Sequence, residues 1–207
     1  MTDAERGAWM QTASGGRYYI HDPQPHEIML REISHSLSMI CRFNGHCMRF
    51  YSVAQHCVLV SQLVPPEYAV HGLLHDASEA YVGDVIRPIK SGMPAFYTRL
   101  ENKALRAIGH RFGIDMFDAD AWSAVHHADN LALAIERRDV MIPTADDWAL
   151  PSADGQPRIH PVVPLEAKIM FEQRCRALGL PLDTEPELWK CQRCGQRKHN
   201  DECMVPV

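Results

Sequence analysis

The 207-residue sequence predicts an all-α fold, a helical bundle followed by a small Cys/His tail. Apolar residues recur at helical spacing in six segments, turn-prone residues separate those segments, and no strong period-two pattern interrupts them. Only the first 25 residues, with "RYYI", leave room for short strands. The length suits one domain with a sizeable core, which we place at 1–182, and a tail at 183–207.

The first three predicted helices lie between residues 26 and 83. The segment "HEIMLREISHSLSMICRF" follows the turn-prone "HDPQP" and carries apolar residues at helical spacing. The second, "YSVAQHCVLVSQLV", has Ser52 as its N-cap and ends at a pair of prolines. The third runs from about Glu67 to Tyr81 and stops at Gly83.

The other three predicted helices are "PAFYTRLENKALRAIGHRFGI", "DADAWSAVHHADNLALAIERRDVM", which Pro143 ends, and "PLEAKIMFEQRCRALGL". Between the last two, residues 143–164 hold five prolines and show no clear period, so they predict a long loop. A loop of this length is either a lid or binding loop, in which Trp148 and Arg158 close over a substrate, or a disordered segment.

Composition and charge limit the classes of function. The formal net charge of −5 gives no general attraction for nucleic acid or for an anionic membrane. No apolar run approaches the roughly 18 residues of a membrane-spanning helix, and the first residues lack the apolar stretch of a secretory signal. Seven cysteines, an odd number, favour a reduced, cytoplasmic setting over a disulfide framework.

One stretch of the third helix, "GLLHDASEAYVGD", combines a core-like pattern with crowded titratable groups. His75, Asp76 and Glu79 occupy neighbouring positions of one helical face, and His71 lies one turn earlier. Burying carboxylates without partners costs several kcal/mol each. The face is therefore either exposed to water or in contact with a cation.

Two further residues lie on helix faces that should point inward. His56 lies among the apolar residues of "SVAQHCVLV", and Asp129 shares a stripe with Val125 and Leu133. With His75 and Asp76 they supply two nitrogens and two oxygens for a divalent metal, which would leave positions free for water and phosphate, as metal-assisted hydrolysis requires. Such a ligand set does not choose among Mn, Co, Mg, Fe, Ni and Zn. Taken singly, each histidine could equally be a hydrogen-bonded core or surface residue.

The ordered pattern His56, then His75-Asp76, then Asp129 resembles the HD-domain superfamily of metal-dependent phosphohydrolases. The segments "RFNGH", "YSVAQH" and "GLLHDASEAYVGDVIRPIK" are similar to those of a narrower group within it. That group contains the bacterial 5'-deoxynucleotidases and the phage-type dATP triphosphohydrolases. The resemblance extends from about Ile33 to Met141.

The resemblance implies a role for each matching position. It makes metal ligands of His56, His75, Asp76 and Asp129. It implies that Glu79 is a catalytic acid/base or orients water, and that Asp84 is a second acidic participant. It matches Arg42 to a phosphate-binding arginine, Phe43 to an aromatic that lines the nucleoside pocket, and Lys90 to a residue that contacts triphosphates. Arg87, near Lys90, stays undecided between a role in binding and a solvated helix end. Two positions depart from the pattern, Gln55 in place of a glutamate, and His71.

The function that the resemblance implies is metal-dependent hydrolysis of phosphate esters of nucleotides. The enzyme would be a 5'-deoxynucleotidase or a dNTP triphosphohydrolase, with a small-molecule nucleotide as substrate and a homo-oligomeric assembly. Two alternatives stay open: a hydrolase of a signalling nucleotide, and a catalytically inert module that binds metal or nucleic acid.

The tail "CQRCGQRKHNDEC" has a spacing that suits a structural zinc. The tetrahedral ligands would be Cys191, Cys194, His199 and Cys203. Similar zinc knuckles bind single-stranded nucleic acid, so the tail is the part of the chain where we would expect such a partner. The alternatives are free thiols or cysteines that pair with another chain.

Overall fold

Helices make up most of the described structure. The computed structural model describes residues 3–93 and 95–182, and in that part of the chain the sheet consists of two antiparallel strands. Strand β1 (Trp9–Gln11) pairs with β2 (Arg17–Tyr19), and the Tyr18 ring stacks on Tyr81 with 3.8 Å between ring centroids. The prediction of a mainly helical fold is confirmed. The short strands that the sequence allowed in the first 25 residues are present as this hairpin.

The helices follow one another along the chain, with the longest connections before the second helix and before the last one. Their bounds are α1 (Asp3–Arg6), α2 (Leu30–Met39), α3 (Val53–Leu63), α4 (Ala69–Leu74), α5 (Glu79–Val82), α6 (Arg87–Lys90), α7 (Ala95–Phe112), α8 (Ala119–Asp139) and α9 (Pro164–Ala177). Short 3₁₀ turns cover Pro25–Glu27, Arg42–Gly45 and Pro66–Tyr68.

Helix α3 forms the centre of the bundle and packs against α2, α4, α8 and α9. Ser52 caps it as predicted, since its hydroxyl accepts the backbone N–H of Gln55 at 3.2 Å. Val53, Cys57 and Val60 are fully buried. His56 is fully buried in the same helix, so its two ring nitrogens must find partners inside the protein.

The third predicted helix is interrupted, which corrects the expectation of one continuous helix up to Tyr81. Between α4 and α5, the N–H of Ala77 donates to the carbonyl of Leu74 and the N–H of Glu79 to that of Asp76, three residues back rather than four. Gly83 ends α5 in the left-handed region at φ 82°, as its position in the sequence predicted.

A glycine lets α4 approach α3 closely at this point. A Cβ added to Gly72 would lie 3.0 Å from the Ser61 Cα and 3.2 Å from its backbone nitrogen. Because the neighbouring atoms are backbone, they cannot turn aside as a flexible side chain would. The close approach fixes the position along α3 at which the segment after α4 packs.

The long segment between α8 and α9 has no regular secondary structure, as the sequence predicted. Helix α8 ends at Asp139, before Pro143, because the residues that follow turn into this loop. No helix in the described residues combines the length and apolar character needed to cross a membrane. The predicted tail ligands Cys191, Cys194, His199 and Cys203 lie outside the described residues, and the domain boundary after 182 stays a prediction.

Candidate metal centre

Four side chains from three parts of the fold meet at one point. Helix α3 supplies His56, the turn after α4 supplies His75 and Asp76, and α8 supplies Asp129. The His56 Nε2 lies 3.3 Å from the His75 Nε2 and 3.2 Å from the Asp129 Oδ1. The Asp76 Oδ2 lies 3.5 Å from the His56 Nε2 and 3.2 Å from the His75 Nε2. The structure thus brings together all four ligands that the resemblance implied.

The spacing of these atoms fits a small divalent ion. Ligands held about 2.1 Å from a metal, at angles between 90° and 110°, are separated by about 3.0–3.4 Å. The four separations given above, 3.2–3.5 Å, are close to that range. The ligand atoms of His56, His75 and Asp129 all lie within 4.8 Å of one another.

The hydrogen bonds on the far side of each imidazole decide what faces this point. The Nδ1–H of His75 donates to the carbonyl oxygen of Gly72 at 2.9 Å, and the Nδ1–H of His56 donates to Glu136 at 2.6 Å. With Nδ1 as donor, the Nε2 of each neutral ring carries a lone pair. Two lone pairs and two carboxylate oxygens then face each other. Such a group of acceptors needs positive charge among them, either a proton or a metal ion.

The pKa values of these groups also indicate that positive charge is needed at this point. Burial and Arg42 lower the pKa of His56, but the carboxylates of Glu136 and Asp129 outweigh them and raise it to about 10. Burial raises the pKa of Asp129, but its hydrogen bond to His56 and the charges of His56, His75 and Arg42 together outweigh burial and hold the pKa below the ordinary value. Without a metal, a proton on His56 supplies the positive charge, and the same proton would be released when a metal binds.

Glu136 is a functional candidate that the sequence reasoning missed. It is fully buried, and its two oxygens are shared between the Nδ1 of His56 at 2.6 Å and the Nη2 of Arg42 at 2.9 Å. A carboxylate behind a metal-binding histidine fixes its ring and raises its basicity. Its position seven residues after Asp129, two turns along the same helix face, was a signal that could have found it.

Cys57, next to His56, also points toward the centre. Its sulfur lies within 4.8 Å of the ligand atoms of His75 and Asp76. Burial raises the pKa of the Cys57 thiol well above its ordinary value, so the sulfur stays protonated. The thiol is therefore neutral while no metal contacts it, and a metal ion could bind it only by displacing its proton.

A cavity of about 640 Å³ opens beside the centre. It is lined by Asp76 and Asp129 and by all five residues that the resemblance assigned to catalysis or substrate binding: Arg42, Phe43, Glu79, Asp84 and Lys90. Cavities that bind small molecules have volumes of this order. The remainder of the lining includes Leu133, Met141, Trp148 and Leu150.

Two carboxyl groups in this cavity differ from ordinary surface acids. Burial raises the pKa of Glu79 well above its usual range, and the nearby Asp76 and Asp84 add to the effect. Burial also raises the pKa of Asp84. The Glu79 Oε2 is buried without a hydrogen-bond partner among the described residues. The raised pKa favours the protonated form of Glu79, the form that a general acid requires.

The cations of the cavity are partly engaged. Lys90 lies 2.9 Å from Glu101 and 3.4 Å from Glu79. Burial lowers the pKa of Lys90, but these two carboxylates outweigh burial and raise it. Arg87, which the sequence left undecided, also lines the cavity and pairs with the Oδ2 of Asp129 at 2.7 Å.

Arg42 and Phe43 project from a strained turn. Phe43 and Asn44 have φ angles of 55° and 51°, in the left-handed region that residues with a Cβ rarely adopt. The base of the turn is fixed because the N–H of Arg42 donates to the Tyr51 carbonyl at 2.9 Å. Arg42 keeps one donor, Nε, buried without a partner among the described residues. Strain of this kind is concentrated at functional sites.

The two positions that depart from the family pattern lie outside the ligand set. His71 bonds through Nε2 to the backbone carbonyl of Asp115 at 3.1 Å. The amide of Gln55 donates to the His160 carbonyl at 2.8 Å and accepts from the Val162 N–H at 3.1 Å, so it anchors the end of the long loop. Trp148 in that loop lines the cavity, whereas Arg158 pairs with Asp139 at 2.6 Å.

Comparisons with known proteins find relatives over most of the chain. The chain is 38% identical over 189 residues to the uncharacterized protein YfdR of Escherichia coli K12, an alignment that covers 89% of this chain and 99% of YfdR. It is 32% identical over 143 residues to an uncharacterized protein of Rhodobacter capsulatus, covering 64% of this chain and 73% of that protein. No protein-family model matches the chain.

Proposed function

The chain belongs to the same protein family as YfdR of Escherichia coli, and we propose that it is a metal-dependent phosphohydrolase that acts on nucleotides. The resemblance to HD-domain phosphohydrolases, carried by the ordered histidine and aspartate pattern, supports the reaction class. The supporting residues come from the part of the chain that the structure describes.

The convergence of four metal-ligating acceptor atoms carries the proposal. His56, His75, Asp76 and Asp129 present two lone pairs and two carboxylate oxygens to one point, next to a cavity large enough for a nucleotide. This arrangement suits a divalent ion, which supplies Lewis-acid charge to a phosphoryl group when it is bound.

The charge of the cavity favours an anionic substrate only when that ion is present. Four carboxyl groups and three basic side chains line it, so their formal charges sum to −1. A divalent ion changes the sum to +1, and protonation of Glu79 makes it more positive. A phosphate dianion is then attracted to the end of the cavity beside Asp76.

Each remaining residue has a role in this scheme. Arg42 donates to the phosphate and stabilises the charge that grows on it during hydrolysis. Glu79, whose raised pKa favours the protonated form, donates its proton to the leaving oxygen. Asp84 orients the attacking water. Lys90 is the cation that a triphosphate would require, and its pairing with Glu79 and Glu101 favours a nucleoside monophosphate over a triphosphate.

The experiment is a phosphate-release assay on the purified full chain with a panel of ribo- and deoxynucleoside mono- and triphosphates and added Mn, Co, Mg or Zn. We expect inorganic phosphate from monophosphates, and no product after treatment with a chelator. Triphosphate as the product would replace the monophosphate preference with triphosphohydrolase activity, and pyrophosphate would replace it with cleavage between the α- and β-phosphates. An absence of turnover with every metal would overturn the proposed function.

Two substitutions separate the ligand role from the catalytic role. Asp76→Asn should abolish both metal uptake and hydrolysis, because it removes a ligand. Glu79→Gln should keep the metal and lower kcat by about 10²–10⁴-fold, the usual contribution of general acid catalysis. Loss of metal from Glu79→Gln would instead assign Glu79 to the ligand set.

A further inference from the structure

Part of the cavity lining is apolar and is not used by the metal-centre chemistry. Leu133, Met141, Trp148 and Leu150 contribute to this apolar lining. Trp148 is 40% exposed although it is one of the largest apolar side chains of the molecule. A large aromatic surface left open to water inside a cavity is typical of a binding site.

Helix α8 connects the metal ligand Asp129 with Arg137, the residue that contacts Trp148. Asp129, Leu133 and Arg137 follow one another at steps of four residues and share a face of the helix. Arg137 therefore lies about 12 Å along the helix axis from the metal ligand Asp129. The guanidinium carbon of Arg137 lies 5.1 Å from the centre of the Trp148 ring. The distance of about 12 Å along the helix between Asp129 and Arg137 is comparable with the extended length of a nucleoside monophosphate.

Arg137 fixes the backbone of the loop on the N-terminal side of Trp148. Arg137 donates to the carbonyl oxygens of Thr144 and Asp146, which precede Trp148. The same guanidinium contacts the Trp148 ring through a cation–π interaction. The indole is thereby oriented by a residue of a rigid helix rather than by the loop alone.

The loop is also fixed on the C-terminal side of Trp148. Arg138 donates to the carbonyl oxygens of Ala153 at 2.6 Å and Pro157 at 2.8 Å. Asp139 accepts the backbone N–H of Ile159 at 2.8 Å, and Gln55 holds the loop further on through His160. The ordering of the loop is therefore present before any ligand binds, which lowers the entropic cost of binding.

We propose that Trp148 is the stacking platform for the base of the nucleotide, which makes the loop at 143–163 the element that reads the substrate beyond its phosphate. The inference rests on the proposed function, because it takes the ligand to be a nucleotide whose phosphate lies at the metal centre. A flat aromatic ring accepts the π-face of any base, so the platform selects for a base rather than for one particular base. Purines, with the larger ring, should bind more tightly than pyrimidines.

Equilibrium binding tests the platform independently of turnover. Binding of deoxyadenosine 5'-phosphate and of 2-deoxyribose 5-phosphate, the same ester without a base, is measured calorimetrically with Mn²⁺ in a Glu79→Gln background. Trp148→Ala should weaken binding of the nucleotide by about 5- to 150-fold and leave binding of the sugar phosphate unchanged. Trp148→Phe should retain most of the affinity, because it keeps an aromatic face.

Trp122→Ala is the matched control. Trp122 is also an exposed tryptophan, 57% exposed, but it lies in the second turn of α8 outside the cavity. Its substitution should change neither affinity. Far-UV circular dichroism checks that each variant is folded.

The possible outcomes separate this inference from the proposed function. If Trp148→Ala weakens nucleotide binding while the wild-type chain hydrolyses no nucleotide, the stacking platform is supported and the proposed hydrolase activity is overturned. Hydrolysis with Trp148→Ala affinities equal to those of the parent would overturn the platform and leave the hydrolase standing. An equal loss for both ligands, or no nucleotide binding at all, would also overturn the platform.

Discussion

Replacing Glu136 by glutamine should disturb both the stability of the fold and the metal site. Glu136 is fully buried and divides its two oxygens between His56 at 2.6 Å and Arg42 at 2.9 Å. Glutamine has nearly the same shape but offers one acceptor and one donor. Its NH₂ group must therefore face either the Nδ1–H of His56 or the guanidinium of Arg42, and both of those are donors.

The structure gives the size of the effect. Removing one partner of a buried ion pair costs about 3–5 kcal/mol. Arg42 is 12% exposed and keeps Asp76 at 3.9 Å as a second carboxylate, so we expect the lower end, about 3 kcal/mol. For a chain of this size the urea midpoint should fall by about 1–1.5 M. Because Glu136 also orients the ring of His56, metal affinity should fall about 10- to 100-fold.

Urea denaturation in a chelator measures the stability, and calorimetric titration with Mn²⁺ measures the affinity. Glu172→Gln is the control, since Glu172 is also a buried glutamate, bonded to Ser34 at 3.1 Å but away from the centre. It should lose stability without any change in metal affinity. An unchanged metal affinity in Glu136→Gln, with the variant folded, would refute the role assigned to Glu136.

Three further predictions concern His56 in the metal centre, the close helix contact and the strained turn. The folded pKa of His56, about 10, lies above its ordinary value of 6.5, so protonated His56 stabilises the metal-free fold fully below pH 6.5, and this contribution is lost as the pH rises through 10. The free energy of unfolding in a chelator should fall by up to about 1.4 kcal/mol per pH unit over that range, and a flat profile would contradict the assignment. Gly72→Ala should lower the free energy of unfolding by about 1–3 kcal/mol because its Cβ meets the Ser61 backbone, whereas Gly92→Ala, with 3.7 Å to its nearest neighbour, should cost less. Asn44→Gly should raise the urea midpoint slightly by relieving the left-handed φ of 51°, and a fall in the midpoint would show that the Asn44 side chain contributes more than the strain costs.

Local sequence signals predicted the helices well where one physical rule governed them. Ser52 preceded an apolar run and caps α3, and Gly83 ends α5 at positive φ, because a single residue's chemistry decides each boundary. The prediction of one continuous third helix was wrong, because between Leu74 and Glu79 the backbone hydrogen bonds join residues three apart rather than four. Propensity cannot report that change, because every residue there is compatible with a regular helix.

The candidate site was predictable to different depths. His56 and Asp129 were recognisable because a titratable group on an apolar stripe demands a partner. Glu136 followed the same rule and was still missed, because no motif named it and its two partners come from other elements. Trp148 was suggested by loop composition alone, and its place in the cavity depends on contacts with Arg137.

By itself the sequence determined a mainly helical chain and the residue types available for a metal site, because helical periodicity and the spacing of histidines and aspartates are properties of the local chain. Only the tertiary structure decided that side-chain atoms of His75, Asp76 and Asp129 lie within 3.5 Å of the His56 Nε2. It also decided that a loop distant in sequence contributes Trp148 and Leu150 to the wall of the cavity. Both depend on the close packing of α3 against α4 at Gly72 and on hydrogen bonds between residues more than 80 positions apart, which local patterns do not encode.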